Sequence, residues 1–360
     1  VTWVTFARAQ DPVFSQFNLN KNYLNPAYAG YSEDLSIGLN SRLQWSNVPG
    51  RFMTNTFNAN AGCGQGRVGL ALVGYDHTEG EGFLNTKNAT MQMSVNFPGK
   101  LGRWVGRKMH RNKFITSGGL SVGVGQKTID WSQLTFSDQF SPYEGYLNQP
   151  SVIHGYEPVS NMIFDVSAGF RTQAEINRKG SYVSFGAAAF HLNRPVETFF
   201  NTDNRLAPRY TFHFFSYFQL QKFVNKPNYF SVGMISDNQA NLRSNTLMIA
   251  KDVEHYAKIN LGFRRQNFIL IDKNVDAIII QGLVSLGGFT IGYSYDVTIS
   301  NLGPHRTYGT HEVGIAYSFK GFGLCRGKGR GRRGKKTNDN CFMLMDDINS
   351  NFKDLYLWNP

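Results

Sequence analysis

A glycine cluster, five histidines and three cysteines are the residues of this chain most able to bind a cofactor, move a proton or hold a metal. Gly64-Gln65-Gly66-Arg67-Val68-Gly69 matches G-x-G-x-x-G. Dinucleotide binding needs a helix directly after the glycines, so that its first N–H groups meet the pyrophosphate. A period-two strand pattern follows instead, so the glycines read as a tight hairpin turn. His154, His191, His213, His305 and His311 are candidate general bases. A lipase would need one of them beside a serine nucleophile, and spacing fixes no such pair. Cys63, Cys325 and Cys341 lack metal-ligand spacing, and their odd number argues against a disulfide framework. The chain therefore reads as no enzyme, with no cofactor and no metal.

Charge is the second signal. The formal net charge is +12, and Arg326, Lys328, Arg330, Arg332, Arg333, Lys335 and Lys336 supply more than half of it. A nucleic-acid arm has such charge, but no aromatic is interleaved and no nucleic-acid fold precedes the run, so nucleic acid is not an expected partner. The run suits an acidic protein or anionic lipid headgroups, and a plainly solvated run is the alternative. Arg103, Arg107, Lys108 and Arg111 form a second basic group, and Trp104 among them favours a partner surface. Arg42, Asp165, Arg171, Asp296 and Glu312 sit at alternate positions of strand-like runs. They would either select solutes, as in a porin, or pair with one another and fill a lumen. No ring of one sign is evident.

The elements that must position these residues are strands. In Thr310 to Phe319, Val313, Ile315, Tyr317 and Phe319 point one way and Glu312, Gly314, Ala316 and Ser318 the other. Leu35 to Trp45, Ala89 to Phe97, Phe164 to Arg171 and Phe289 to Asp296 alternate in the same way. Nine less regular strands are expected near Thr54–Ala61, Arg67–Asp76, Lys113–Lys127, Tyr182–Leu192, Arg209–Gln221, Tyr229–Asp237, Arg243–Lys251, Lys258–Arg265 and Asp276–Leu286. No helical run is long enough to cover such a sheet, so it must close on itself or pack on another sheet. No segment approaches the ~20 apolar residues of a spanning helix. The aromatic fraction of 14% and the 37 glycines fit interfacial girdles and a small-residue interior. The expected fold is an all-β, transmembrane, antiparallel up-and-down barrel of about fourteen strands in the outer membrane of a Gram-negative bacterium. Leu39, Met93 and Ile315 would face lipid.

An even strand number puts both termini on one side, the periplasm. Gly62 to Gln65, Asp252 to Ala257 and Gly287-Gly288 then become short periplasmic turns. Gln133 to Asn161, Asn193 to Pro208 and Val297 to Gly309 become long outer loops. Pro98 to Asn112 is the exception, a long basic loop on the periplasmic side. The outer loops carry Phe136, Phe140, Tyr143, Tyr146, Phe199 and Phe200, with Trp131 just before them, an aromatic density that suits a protein-binding surface. His191 and His311 read as strand-end residues in the interfacial region. Val1 to Phe6 resembles the end of a signal-peptide apolar region, and Ala7-Arg8-Ala9 fits a cleavage site that leaves Gln10 first. The division expected is a signal remnant (1–9), an N-terminal periplasmic segment (10–34), the barrel (35–319), and a basic linker with an apolar tail (320–360).

The ordered pieces Gln10-Asp11-Pro12, Phe14-Ser15-Gln16, Leu24-Asn25-Pro26-Ala27-Tyr28-Ala29-Gly30, Arg42, Gln44 and Trp45 resemble the N-terminus of the PorP/SprF family of the Bacteroidota type IX secretion and gliding machinery. Leu134 to Gln139, Phe164 to Gly169, Gly186 to Pro195, Gly292 to Asp296 and Gly309 to Glu312 continue the resemblance in order, while the tail from Gly321 departs from it. The resemblance implies a barrel that binds, retains or helps export a type IX cargo, such as a surface adhesin. It also implies partners in the translocon barrel and the periplasmic lipoprotein ring, besides the outer-membrane lipids. On that basis Phe136, Phe140, Tyr143, Tyr146, Phe199 and Phe200 are candidate cargo contacts. Arg103, Trp104, Arg107, Lys108, Arg111, Arg326, Lys328, Arg330, Arg332 and Arg333 are candidate periplasmic contacts. A passive porin or solute transporter is the alternative.

Overall fold

The computed structural model describes residues 11–319 except 32–33, 51, 64–67, 82, 106–107, 148, 153–159, 177–180, 200–203, 221–227, 254–255, 269–274 and 301–302. For residues 63, 98, 100–105, 108–113, 267 and 268 the backbone alone is described. The first strands are β1 (Leu35–Gln44), β2 (Phe52–Cys63), β3 (Val68–Glu79), β4 (Leu84–Val105) and β5 (Lys108–Thr128). A miniature hairpin follows, β6 (Phe140–Ser141) with β7 (Gly145–Tyr146). Then come β8 (Ile163–Glu175), β9 (Tyr182–Phe190), β10 (Arg209–Gln219), β11 (Tyr229–Gln239) and β12 (Leu242–Val253). The last are β13 (Ala257–Phe268), β14 (Val275–Leu286), β15 (Phe289–Thr298) and β16 (Thr310–Phe319).

All of these except β6 and β7 join in one closed antiparallel barrel of fourteen strands. β1 closes on β16, with Leu35 opposite Phe319 and Gln44 opposite Thr310. Closure pairs the backbone polar groups around the ring and leaves no sheet edge to face lipid. No described helix is long and apolar enough to cross a membrane.

The two faces follow the alternation. Leu39, Met93 and Ile315 are about half exposed on the outside of the ring, while Asn40, Ser94 and Gly314 are buried inside it. The outward row is apolar because lipid offers no polar partner, and the inward row is small and polar because it faces other protein. One mouth has mostly short connections, such as 254–256 and 287–288; the other carries 129–162, 191–208 and 299–309. These are called the turn mouth and the loop mouth below.

Two expectations are corrected. Pro98 to Asn112 is not a loop. β4 and β5 stay paired through it, from Pro98 opposite Ile115 to Val105 opposite Lys108. β4 pairs with β3 only as far as Val95, and β5 pairs with β8 only from Phe114 onward, so the rest is a two-stranded ribbon beyond the turn mouth. Strands of 22 and 21 residues are about twice what a bilayer needs. Pro98 is tolerated because its strand is an edge there, with no ladder partner waiting for the missing N–H. The second correction concerns 10–34. Residues 11–31 are not a segment standing apart from the barrel: they fold into its lumen, where polar wall residues bind them.

Met93→Arg is expected to cost ~2–4 kcal/mol of folding stability in a bilayer. Ser94→Ala loses one hydrogen bond, to the Ala29 carbonyl, at about 1 kcal/mol. Unfolding titrations in vesicles compare them; equal costs would mean that the faces are wrongly assigned.

Candidate functional site

The lumen segment has little regular structure of its own. One helical turn, α1 (Lys21–Leu24), stops at Asn25, whose backbone is extended at φ −161° and ψ 125°. Extension is what the residue before a proline prefers. Pro26 then opens a short 3-10 turn to Tyr28, and the Asn25 side chain accepts a hydrogen bond from the Ala27 N–H at 2.8 Å. The barrel supplies the rest of the order.

Ser15 and Gln16 meet the most highly charged part of the wall. Arg42 on β1 reaches Asp296 on β15 and Glu312 on β16, both at 2.9 Å. Arg264 on β13 reaches the same Asp296 carboxylate at 2.9 Å. The Ser15 hydroxyl donates to Asp296 at 2.6 Å and accepts from Arg42 at 2.9 Å and Arg264 at 2.6 Å. Glu312 accepts from the backbone N–H groups of Ser15 (2.8 Å) and Gln16 (3.0 Å) and from Asn40 (2.9 Å). Two cations and two anions balance, and all four are buried.

Lower down, the wall is hollowed to receive the backbone. A Cβ on Gly69 would lie 1.9 Å from the Ala29 carbonyl oxygen, and one on Gly119 would lie 2.4 Å from the Ala27 nitrogen. The Asn25 amide donates to the carbonyls of Phe170 (2.9 Å) and Ala187 (3.2 Å). The Arg171 guanidinium stacks over Tyr28 and Tyr31, 4.7 and 4.4 Å from the ring centres. Leu24, Tyr28, Phe215 and Ile235 form an apolar cluster.

At the loop mouth, Asp11 binds Arg209 at 3.1 Å, His191 at 2.9 Å, and Gln239 through its backbone N–H at 2.8 Å. His191 also reaches Asp165 at 3.0 Å. Burial opposes its charge, but the two carboxylates outweigh burial and raise its pKa to about 9. Burial likewise opposes ionisation of Asp11, and His191 and Arg209 outweigh it, holding the carboxyl well below its usual range.

A cavity of about 40 Å³ lies between residues 11–24 and β10–β12, and another of about 20 Å³ lies beside Asp11 and His191. Such volumes take water and nothing larger. Among the described residues there is no cluster of His, Cys, Asp and Glu able to hold a metal. The arrangement is that of a plug.

A family model, that of the type IX secretion system membrane protein PorP/SprF, matches residues 6–317. The chain belongs to the PorP/SprF family. It is thus an outer-membrane barrel of the type IX secretion system. A search of curated proteins gave no match. Among solved structures, CdiB from Acinetobacter baumannii aligns at TM-score 0.42 and 7% identity, covering 80% of this chain and 60% of its own. A Pseudomonas aeruginosa FadL homologue aligns at 0.37 and 10%, covering 83% and 91%. A mutant of the TodX monoaromatic hydrocarbon channel aligns at 0.36 and 8%, covering 82% and 92%.

In this PorP/SprF barrel the expected site residues separate. Phe140, Tyr143 and Tyr146 are exposed on or beside the β6–β7 hairpin, with Tyr143 at 97%. Phe136 and Phe199 are not free contacts: both are half-buried against the buried Trp131 ring, at 6.5 and 6.2 Å. Phe200, Arg107, Arg326, Lys328, Arg330, Arg332 and Arg333 lie outside the described residues. Arg103, Trp104, Lys108 and Arg111 are on the ribbon, with backbone alone described. His191 ends its strand but faces the lumen, not the membrane interface; His311 packs with Tyr293 and Tyr295. β3 begins at Val68, so a strand, not a helix, follows the glycine cluster.

The residues missed as a site are those of the plug, Asp11 to Tyr31. Their signal was the family motif itself, joined to lumen charges that lacked assigned partners.

Asp296→Asn removes a counter-charge from two buried guanidiniums and weakens the bond to the Ser15 hydroxyl, and should weaken plug seating by about 1–3 kcal/mol. Limited proteolysis should then cut within residues 11–31 while the barrel keeps its heat-resistant gel mobility. An unchanged cleavage pattern would remove the network from its anchoring role. The His191 contact makes a second prediction. Its pKa is raised from 6.5 to about 9, so its stabilisation is complete below about pH 6.5 and lost as pH rises through about 9. His191→Gln is compared with wild type at each pH, so that other titrating groups cancel. The gap should shrink by up to about 3 kcal/mol between pH 6 and 10; a constant gap contradicts the ion pair.

Proposed function

We propose that this barrel is a plugged, non-enzymatic component of type IX secretion that holds a secreted surface protein at its loop mouth and couples to the translocon and periplasmic partners at its turn mouth. The observation that carries this reading is the plug. Residues 11–31 occupy the lumen and bind charged wall residues on several strands, so the working surfaces are the two mouths. A porin needs the opposite, a wide and wet lumen.

The loop mouth faces the cell exterior in this reading. Its long loops brace each other: Asn161 donates to the Val196 carbonyl at 3.2 Å, Lys127 pairs with Glu197, and Trp131 meets Phe199. The braced base carries Phe140, Tyr143 and Tyr146 outward, and exposed aromatics on a fixed support suit protein recognition. The turn mouth carries the β4–β5 ribbon, whose segment Lys100 to Lys113 is rich in lysine and arginine and has no acidic residue. Such charge suits an acidic periplasmic partner, with attraction that weakens as salt is raised.

Purified barrel in a planar bilayer should give no steady conductance, while a variant lacking Pro12 to Ala29 should conduct. Barrel purified from native membranes should carry a large secreted protein with it, and Tyr143→Ala combined with Tyr146→Ala should reduce that recovery. Steady conductance by the wild type together with no bound protein would favour the porin.

A further inference from the structure

The plug crosses the whole barrel. At its carboxyl end, the Gly30 N–H donates to Asn60 at 2.6 Å beside the β2–β3 turn, and the chain enters β1 at the turn mouth. Midway, Asn20 donates to Thr56 at 3.1 Å and the Leu19 carbonyl accepts from Asn58 at 3.3 Å. Ser15 lies at Glu312 and Asp296, near the loop-mouth ends of β16 and β15. Asp11 then contacts Arg209, the first residue of β10, Gln239, the last of β11, and His191, the first residue after β9. All three mark the loop mouth. Asp11 therefore stands at the loop mouth, and the plug spans the barrel from one mouth to the other.

We infer that Asp11, at the loop mouth, stands on the cell-surface side and latches the plug to the root of the second long loop. The surface assignment rests on the outward orientation proposed above; the crossing does not. Both termini are expected on one side; the ends of the barrel strands obey this, while Asp11 stands at the mouth opposite the start of β1. The latch joins the plug to the loops. His191 and Arg209 stand at the two ends of the 191–208 connection, and one carboxylate holds both. Glu197 and Val196 of that connection are tied in turn to Lys127 and Asn161 at the ends of the other long loop. A protein that binds and shifts these loops therefore acts on the partners of Asp11.

Two measurements test this. Peptide tags are placed, in separate strains, between Gln10 and Asp11 and beside Tyr143. Antibody should label both tags on intact cells. If the Tyr143 tag is labelled and the tag beside Asp11 only after permeabilisation, the placement of Asp11 on the cell-surface side is overturned. If neither is labelled until permeabilisation, the outward orientation itself is wrong. For the latch, Val13→Cys is made with Cys63, Cys325 and Cys341 changed to serine, and intact cells receive a membrane-impermeant maleimide. Adding Asp11→Asn should raise labelling roughly fivefold or more, as loss of about 1 kcal/mol predicts. Heat-resistant gel mobility verifies the barrel in each strain, and unchanged labelling overturns the latch.

Discussion

Arg42, Arg264, Asp296 and Glu312 meet inside the ring around one serine hydroxyl, and both carboxylates are bonded from the wall and from the plug. Removing such charges from water is costly unless they are paired and further hydrogen bonds are supplied. Ser15 and Gln16 supply some of these, and both come from the plug. In an unplugged lumen the same groups would be hydrated, so the plug replaces water rather than rescuing stranded charges. Each exchange is then worth about 0.5–1.5 kcal/mol net. The seat is strong because many modest bonds act together, and specific because Glu312 can accept two successive backbone N–H groups only from a chain lying at one height.

The same constraint shapes the wall. A fourteen-strand ring is wide enough to leave an open interior, and here that interior is taken by the plug together with the wall side chains that bind it. Gly69 and Gly119 stand where the plug backbone touches the sheet, and any side chain there would occupy the place of Ala29 or Ala27. Around them the inward positions are Ser, Asn and Thr, which bond to a neighbouring backbone without displacing it. The inner face is thus built for one particular segment.

The outer face was readable because lipid imposes a rule at every second residue. Leu39, Met93 and Ile315 obey it, and the fourteen expected strands match the fourteen observed. The plug obeys no period. Ser15 and Asp296 are partners separated by 281 positions, and an Arg or Asp in a strand pattern does not say what it will meet across the lumen. Ion pairing of the lumen charges was one of two open alternatives, and only the closed ring decides it by placing β1, β13, β15 and β16 about one point. Pro98 to Asn112 misled for a different reason. Proline, glycine and clustered charge usually mark a loop, yet a free edge accepts a proline and water solvates the charges, so the pairing of β4 with β5 continues.

A filled lumen moves function to the mouths and raises the question of how they could communicate. Interstrand ladders hold the barrel in one arrangement, and coupling between distant sites requires an element with two. The plug reaches from Asp11 at the loop mouth to Tyr31 at the turn mouth, and the polar contacts it makes with the wall can be exchanged for water. Its two ends are held differently. The lower end is packed against Gly69 and Gly119, where movement demands room that the wall does not have. The upper end hangs on the charged groups of Asp11, His191 and Arg209, two of them at the ends of a loop. Release would therefore begin at the loop mouth and proceed toward the Ser15 cluster, while the packed lower end keeps the segment in register for reseating.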